Sequence, residues 1–343
     1  MNEQTLTARP VELKPLMELT ARVGTDPLLT QASTGNSSIK MGGALWMKAS
    51  GKWMADALRD DIFIPLDLAE IRDCLLHDVD PAERYPGASL ETAMHAALPH
   101  RVVLHVHSIN TIAQAVRDDA PSQLERRLQG LPWRWVPYRA PGLPLSRELQ
   151  RTLSACPDAC IFVLGNHGLV IGGESATGVA RLLAETERRL ATSPRQAHPA
   201  DYTVLMEMCD DSPWDLPEDD ETHALGTDPI SRSILQGGLL YPCQAIFSDS
   251  TTSELFHAIP CPGCGDGWKD RYRDRPFLII EGRGVIVSRS LTPPEVAMLS
   301  GLAQVTQRLE ACAPVRYLTA AEVDEISSRV TYRYRVLANA AHS

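Results

Sequence analysis

Hydrophobic and polar positions over the first part of the chain switch repeatedly between helical spacing and short β-forming runs. Residues 44–49, 101–107 and 160–171 predict strands, and the stretches between them over 10–192 predict helices. That alternation is the order of an α/β layered domain. Ser89 is placed to cap a short helix running to about Leu98, which Pro99-His100 ends and which leads straight into the strand at 101–107. Further on, an acidic, proline-containing segment runs from Asp210-Asp211 to Thr222. It reads as a surface linker with one ordered stretch at Tyr202–Met208. The chain is therefore expected to divide into a domain over 1–195, an acidic linker over 196–228 and a C-terminal α/β lobe over 229–343.

The C-terminal lobe echoes the first domain. Ile161-Phe-Val-Leu-Gly-Asn-His-Gly-Leu-Val-Ile171 is matched by Phe277-Leu-Ile-Ile-Glu-Gly-Arg-Gly-Val-Ile-Val287, and each run precedes a helical pattern. Arg283 stands where His167 stands, so a duplicated lobe would be a degenerate, metal-free copy. The alternative is that two strand–turn–strand–helix units resemble each other by construction. Near the end, Thr319 is placed to cap a helix within 315–339.

Charge and composition narrow the function classes. A chain of 343 residues with a net charge of −10 lacks the basic face of a nucleic-acid binder. The N-terminus has no apolar core, and no segment approaches the length of a membrane span. Neither a signal peptide nor a transmembrane helix is expected, and the protein reads as cytoplasmic. Its eight cysteines are then expected as reduced thiols. Cys261-Pro-Gly-Cys264, a lone CxxC, reads as a turn. No GxGxxG follows a strand, so no dinucleotide-binding or dehydrogenase part is expected.

Three histidines carry the chemistry. In the strand at 101–107, His105 and His107 emerge on one face about 7 Å apart, close enough to converge on one ion. His167 lies in Gly165-Asn166-His167-Gly168, between two apolar runs. Three neutral nitrogen ligands with an open position describe a catalytic metal site, whereas an HxH alone is more often two half-buried histidines. Glu91, at the mouth of the short helix, can reach the open position or act as a general base. It also fits a plain helix-start acid. The loops Gln31–Ser38 and Lys48–Lys52 are rich in glycine, hydroxyls and backbone N–H groups. They suit an anion, and equally suit ordinary turns.

In order and spacing, Gly35-Asn36-Ser37-Ser38, Ala49-Ser50-Gly51, Ser89-Leu90-Glu91, His105-Val106-His107, Pro137-Tyr138 and Gly165-Asn166-His167-Gly168 resemble the class II aldolase/adducin family over roughly 10–192. The likeness is strongest to the aldolase part of rhamnulose-1-phosphate aldolases fused to a short-chain dehydrogenase. The resemblance implies a class II aldolase-like layered α/β fold and a zinc-dependent aldehyde-lyase. It implies one divalent metal per chain, most simply Zn2+, on His105, His107 and His167, with Glu91 as catalytic acid/base and fourth ligand. Ser33, Asn36, Ser50, Gly51 and Ser89 fall where the family binds a substrate phosphate. Tyr138 falls where a neighbouring subunit's tyrosine protonates the leaving group. Leu90 replaces a second serine found in some members, which removes one phosphate hydroxyl; Lys52 could compensate with its charge.

The expected activity is retro-aldol cleavage of a ketose phosphate or a related sugar or sugar acid, through a metal-stabilised enediolate. The expected assembly is a homo-oligomer, tetramer or dimer. Two alternatives remain at this point: dehydratase, epimerase or decarboxylase chemistry of the same family, and a non-catalytic adducin-like interaction module.

Overall fold

A computed structural model of the chain describes residues 10–247, 256–261 and 267–329. Two compact units divide between Ala191 and Thr192, with Val116–Asp119 counted in the second.

The first unit is built on a seven-stranded sheet of order β3-β2-β1-β4-β7-β6-β5. Its strands are β1 Asn36–Met41, β2 Ala44–Lys48, β3 Phe63–Asp67, β4 Val102–Val106, β5 Trp133–Val136, β6 Ile161–Leu164 and β7 Gly168–Gly173. All pair antiparallel except β5 with β6. The expected strands at 44–49 and 101–107 are present as β2 and β4. The apolar stretch at 160–171, broken by glycines around His167, is the hairpin β6–β7 with His167 in its turn, where Asn166 takes a left-handed conformation (φ 51°) that folds the chain back.

The alternation of side chains sorts the sheet into two faces. Val102, Leu104 and Val106 join Leu169, Ile171 and Val163 in a core with helices Lys14–Gly24 and Ala176–Leu190. Val103, Val170 and Phe162 point the other way, into a core with Met94, Leu98, Leu145 and Leu149 from helices Thr92–Ala97 and Leu143–Ala155. His105 has the parity of Val103, so the period of two sends it to the face covered by the helix that follows Glu91. That helix is shorter than the sequence suggests. It begins at Thr92, Glu91 itself is the N-cap residue, and the Ser89 hydroxyl accepts from the Glu91 amide at 3.2 Å.

In the second unit a three-stranded sheet has the order β8-β10-β9, with β8 Trp214–Asp215, β9 Phe277–Ile280 and β10 Gly284–Ser288. The ordered stretch expected at Tyr202–Met208 is helix Tyr202–Cys209. The stretch expected as a linker also contributes strand β8 to this unit, and Trp214 and Leu205 are fully buried in its core. The acidic residues lie around these elements, while the interleaved apolar ones supply the packing. Hairpins β6–β7 and β9–β10 share their construction. Each turn holds three residues with a positive φ at the middle one (Asn166, 51°; Gly282, 68°). Each closes by the same backbone bond, His167 N–H to Leu164 O (3.2 Å) and Arg283 N–H to Ile280 O (3.0 Å). A 15-residue helix follows each, Ala176–Leu190 and Pro293–Gln307. Arg283 pairs with Asp201. Thr319 caps helix Ala320–Arg329, with its backbone N–H donating to Glu322 at 2.8 Å and its hydroxyl accepting from the Glu322 N–H at 3.3 Å. Cys264 lies outside the described residues, as does part of the 315–339 pattern. No helix among the described residues is long and apolar enough to cross a membrane.

Candidate metal centre

Glu91, His105, His107 and His167 come together, all buried, with one ligand-type atom from each lying within 4.8 Å of all the others. The three imidazole centroids form a nearly equilateral triangle, at 4.9, 5.0 and 5.1 Å. Three elements supply them: strand β4 and its end, the β6–β7 turn, and the loop entering helix Thr92–Ala97. Gly168 lets the turn approach, because a Cβ there would sit 2.6 Å from the Val106 carbonyl.

The donor set fits a divalent metal. His105 Nδ1 bonds the Leu169 carbonyl at 3.0 Å, which makes Nδ1 the protonated nitrogen and leaves the Nε2 lone pair facing the cluster. His105 Nε2 lies 3.0 Å from His107 Nε2, and Glu91 Oε1 lies 3.2 Å from both His105 Nε2 and His167 Nε2. Ligands in a tetrahedron around zinc, with bonds of about 2.0–2.1 Å, are about 3.3 Å apart. Burial pushes His107 and His167 below the usual imidazole range, which keeps them neutral and able to ligate. Burial alone would raise Glu91, but in the metal-free cluster the adjacent His105 and His167 outweigh it and hold the carboxyl well below its ordinary range. Among the described residues no second cluster of this kind occurs.

Behind Glu91 lies a polar network. Asn36 pairs directly across from His105 on adjacent strands, and its Nδ2 donates to Glu91 Oε2 at 2.6 Å and, more weakly, to the Ser89 hydroxyl at 3.5 Å. The Asn36 oxygen accepts from His95 Nε2, and the Ser38 hydroxyl bonds His95 Nδ1 at 2.7 Å. Asn36, expected among the anion-binding residues, is thus engaged with the carboxylate.

The other expected residues divide. Ser33 is fully buried and its hydroxyl oxygen has no hydrogen-bond partner. Ser50 and Gly51 form a turn after β2, with Gly51 at φ 73° and the Ser50 amide on the Gly87 carbonyl. Lys52 is exposed, and the cation that holds these loops is Lys48. At 1% exposure, the Lys48 ammonium donates to the carbonyls of Lys52 (2.6 Å), Ser33 (3.1 Å) and Ala49 (3.4 Å). Burial lowers it to about 7, against the attraction of Glu91. Tyr138, just after β5, is 6% exposed with its hydroxyl enclosed by its own chain. Sequence reasoning passed over Lys48 and His95. The first ends a strand otherwise apolar from Ala44 to Met47, and the second follows Glu91 by one helical turn, which was the available signal.

Comparison with known proteins decides the family. Residues 16–193, more than half of the chain, match the family described as Class II Aldolase and Adducin N-terminal domain. The chain belongs to this family. A Bacillus subtilis (strain 168) protein named "Uncharacterized oxidoreductase YuxG" is 28% identical over 189 residues, which cover 49% of this chain and 27% of that one. The match therefore spans about a quarter of that relative's length. Among solved structures, the N-terminal class II aldolase domain of a conserved Thermoplasma acidophilum protein is 21% identical. It covers 55% of this chain and 97% of that one, with a TM-score of 0.47. The L-fuculose-1-phosphate aldolase of Thermus thermophilus is 17% identical and covers 57% and 95%, with a TM-score of 0.37.

Proposed function

We propose that the first unit is an aldehyde-lyase that cleaves a carbon–carbon bond of a ketose phosphate, or of a related sugar or sugar acid, by retro-aldol chemistry. The observation that carries the reading is the division of labour at Glu91: Oε1 faces the His105 and His167 nitrogens while Oε2 is held by Asn36. A carboxylate aimed this way is a general base. It takes the proton from the hydroxyl two carbons from the ketone, the carbon–carbon bond breaks, and its electrons pass to the ketone fragment as the aldehyde leaves. A divalent ion on His105, His107, His167 and Glu91, zinc by the donor set, would supply Lewis-acid stabilisation of that negative charge. Returning the proton to the ketone fragment completes the balance.

The anionic end of the substrate is assigned to Ser33, Ser50, Gly51 and Ser89. The unpartnered Ser33 hydroxyl and the buried Lys48 cation beneath its carbonyl support this, and both offset the hydroxyl missing at Leu90. Glutamate at position 91 favours an aldolase or dehydratase over an epimerase. A non-catalytic module has no physical use for four buried ligand groups in register. The matched construction of the two hairpins supports the second unit as a metal-free copy. The protein is read as a homo-oligomer, tetramer or dimer. Tyr138 serves a neighbour's site in that reading only if its hydroxyl is uncovered. Mixing Tyr138→Phe with Glu91→Gln chains separates the cases, since regained activity places the hydroxyl across an interface.

The test incubates zinc-loaded protein with a panel of ketose 1-phosphates and sugar acids and follows products by NMR. An aldehyde and a three-carbon ketone fragment, both abolished by chelation, are expected. Loss of water, inversion at one carbon or release of carbon dioxide would replace the aldolase reading with its sister chemistries.

A further inference from the structure

His95 is not a ligand-type member of the cluster, yet it is fully buried one helical turn after Glu91, with its backbone N–H on the Glu91 carbonyl at 3.2 Å. Four residues along a helix advance about 6 Å and two along a strand about 6.6 Å. The pair Glu91/His95 therefore matches the pair Asn36/Ser38 on β1 rung for rung, and each rung is a hydrogen bond. Ser38 Oγ meets His95 Nδ1 at 2.7 Å, and Asn36 Nδ2 meets Glu91 Oε2 at 2.6 Å. His95 Nε2 closes the figure on Asn36 Oδ1.

Only one polarity satisfies every member. The carboxylate accepts, so Asn36 presents its NH2 to Glu91 and its oxygen to His95. His95 must then carry its proton on Nε2, and Nδ1 accepts from the Ser38 hydroxyl. The two ends of an amide have the same shape, so its partners alone choose which one faces the carboxylate. With the opposite tautomer, Nε2 would meet an oxygen with a lone pair, and the amide would have to turn its own oxygen toward Glu91.

We propose that His95 is a positioning residue for the proposed aldolase reaction, orienting the Asn36 amide so that Glu91 Oε2 is tied back and Oε1 faces the His105 and His167 nitrogens. The inference rests on Glu91 acting as the base. Ser38 serves it by fixing the tautomer, and neither residue touches the reacting atoms.

The experiment has two arms. In zinc-loaded protein labelled with 15N-histidine, long-range proton–nitrogen correlation is expected to show His95 neutral, with Nε2 protonated and Nδ1 bare. His95→Gln identifies the signal. A proton on Nδ1 overturns the proposal, whatever the enzyme turns over. In the kinetic arm, His95→Leu is expected to lower kcat roughly 10- to 100-fold while KM and zinc content hold. His95→Gln, which keeps a donor near the Nε2 position, regains most of the loss. Wild-type kcat in His95→Leu, or a loss that follows zinc content, overturns the proposal. If wild-type protein cleaves no substrate, the aldolase reading fails by itself, and the tautomer still decides the relay.

Discussion

Asn36 and His105 face each other across strands β1 and β4, and that single pairing joins the metal cluster to the network that holds its carboxylate. His105 contributes a nitrogen to the cluster, while Asn36 grips Glu91 from behind. Removing the amide should affect catalysis and folding together. Asn36→Ala leaves the His95 Nε2–H and one Glu91 oxygen short of a partner inside the protein, which costs about 1–3 kcal/mol. Urea unfolding should report a loss in that range, with turnover falling further. Unchanged stability would mean that the relay is not formed.

Glu91→Gln keeps the shape of the side chain and removes its basicity. Turnover of a verified substrate should fall by about two orders of magnitude or more, the usual scale for a lost general base. Zinc content should fall less, because three imidazoles remain. A variant with near wild-type turnover would reduce Glu91 to a helix-start acid.

Acid should weaken the metal-free fold. Burial holds His95 down at about 3 from an ordinary 6.5, and it pushes His107 and His167 the same way. For a depressed histidine, the unfolded chain binds the proton first. The stability is therefore complete above pH 6.5 and is lost as pH falls toward the folded-state value. The Tm of chelator-treated protein should decline steadily below pH 6.5, and His95→Gln should flatten part of the slope. A Tm that is level through that range would contradict the assignment.

The β6–β7 turn depends on Asn166 holding φ at 51°. A Cβ without a polar end is disfavoured there by roughly 1–2 kcal/mol, whereas glycine adopts the conformation freely. Denaturant midpoints should therefore rank Asn166→Gly above Asn166→Ala, with both below the natural chain. The reverse order would show that the left-handed backbone at position 166 does not limit the turn.

Much of the first unit was legible because its signals are local. The period of two placed His105 and His107 on one face, and glycines marked the turn at His167. What local pattern could not supply was pairing. Nothing in Asn36-Ser-Ser or in Glu91-Thr-Ala-Met-His95 says that the two segments meet, so Asn36 read as an anion-loop residue and His95 passed unremarked. Lys48 escaped for a related reason, since its burial depends on three carbonyls brought together from two loops. In the second unit, acidic residues around 210–222 masked Trp214, which helps to build its core.

Elemental analysis of the purified protein, wild type beside His105→Ala/His107→Ala, tests the metal centre most directly. The donor set predicts about one divalent transition metal per chain in the wild type, zinc foremost, and close to none in the double variant at unchanged fold. Stoichiometric metal retained by the double variant would contradict the account.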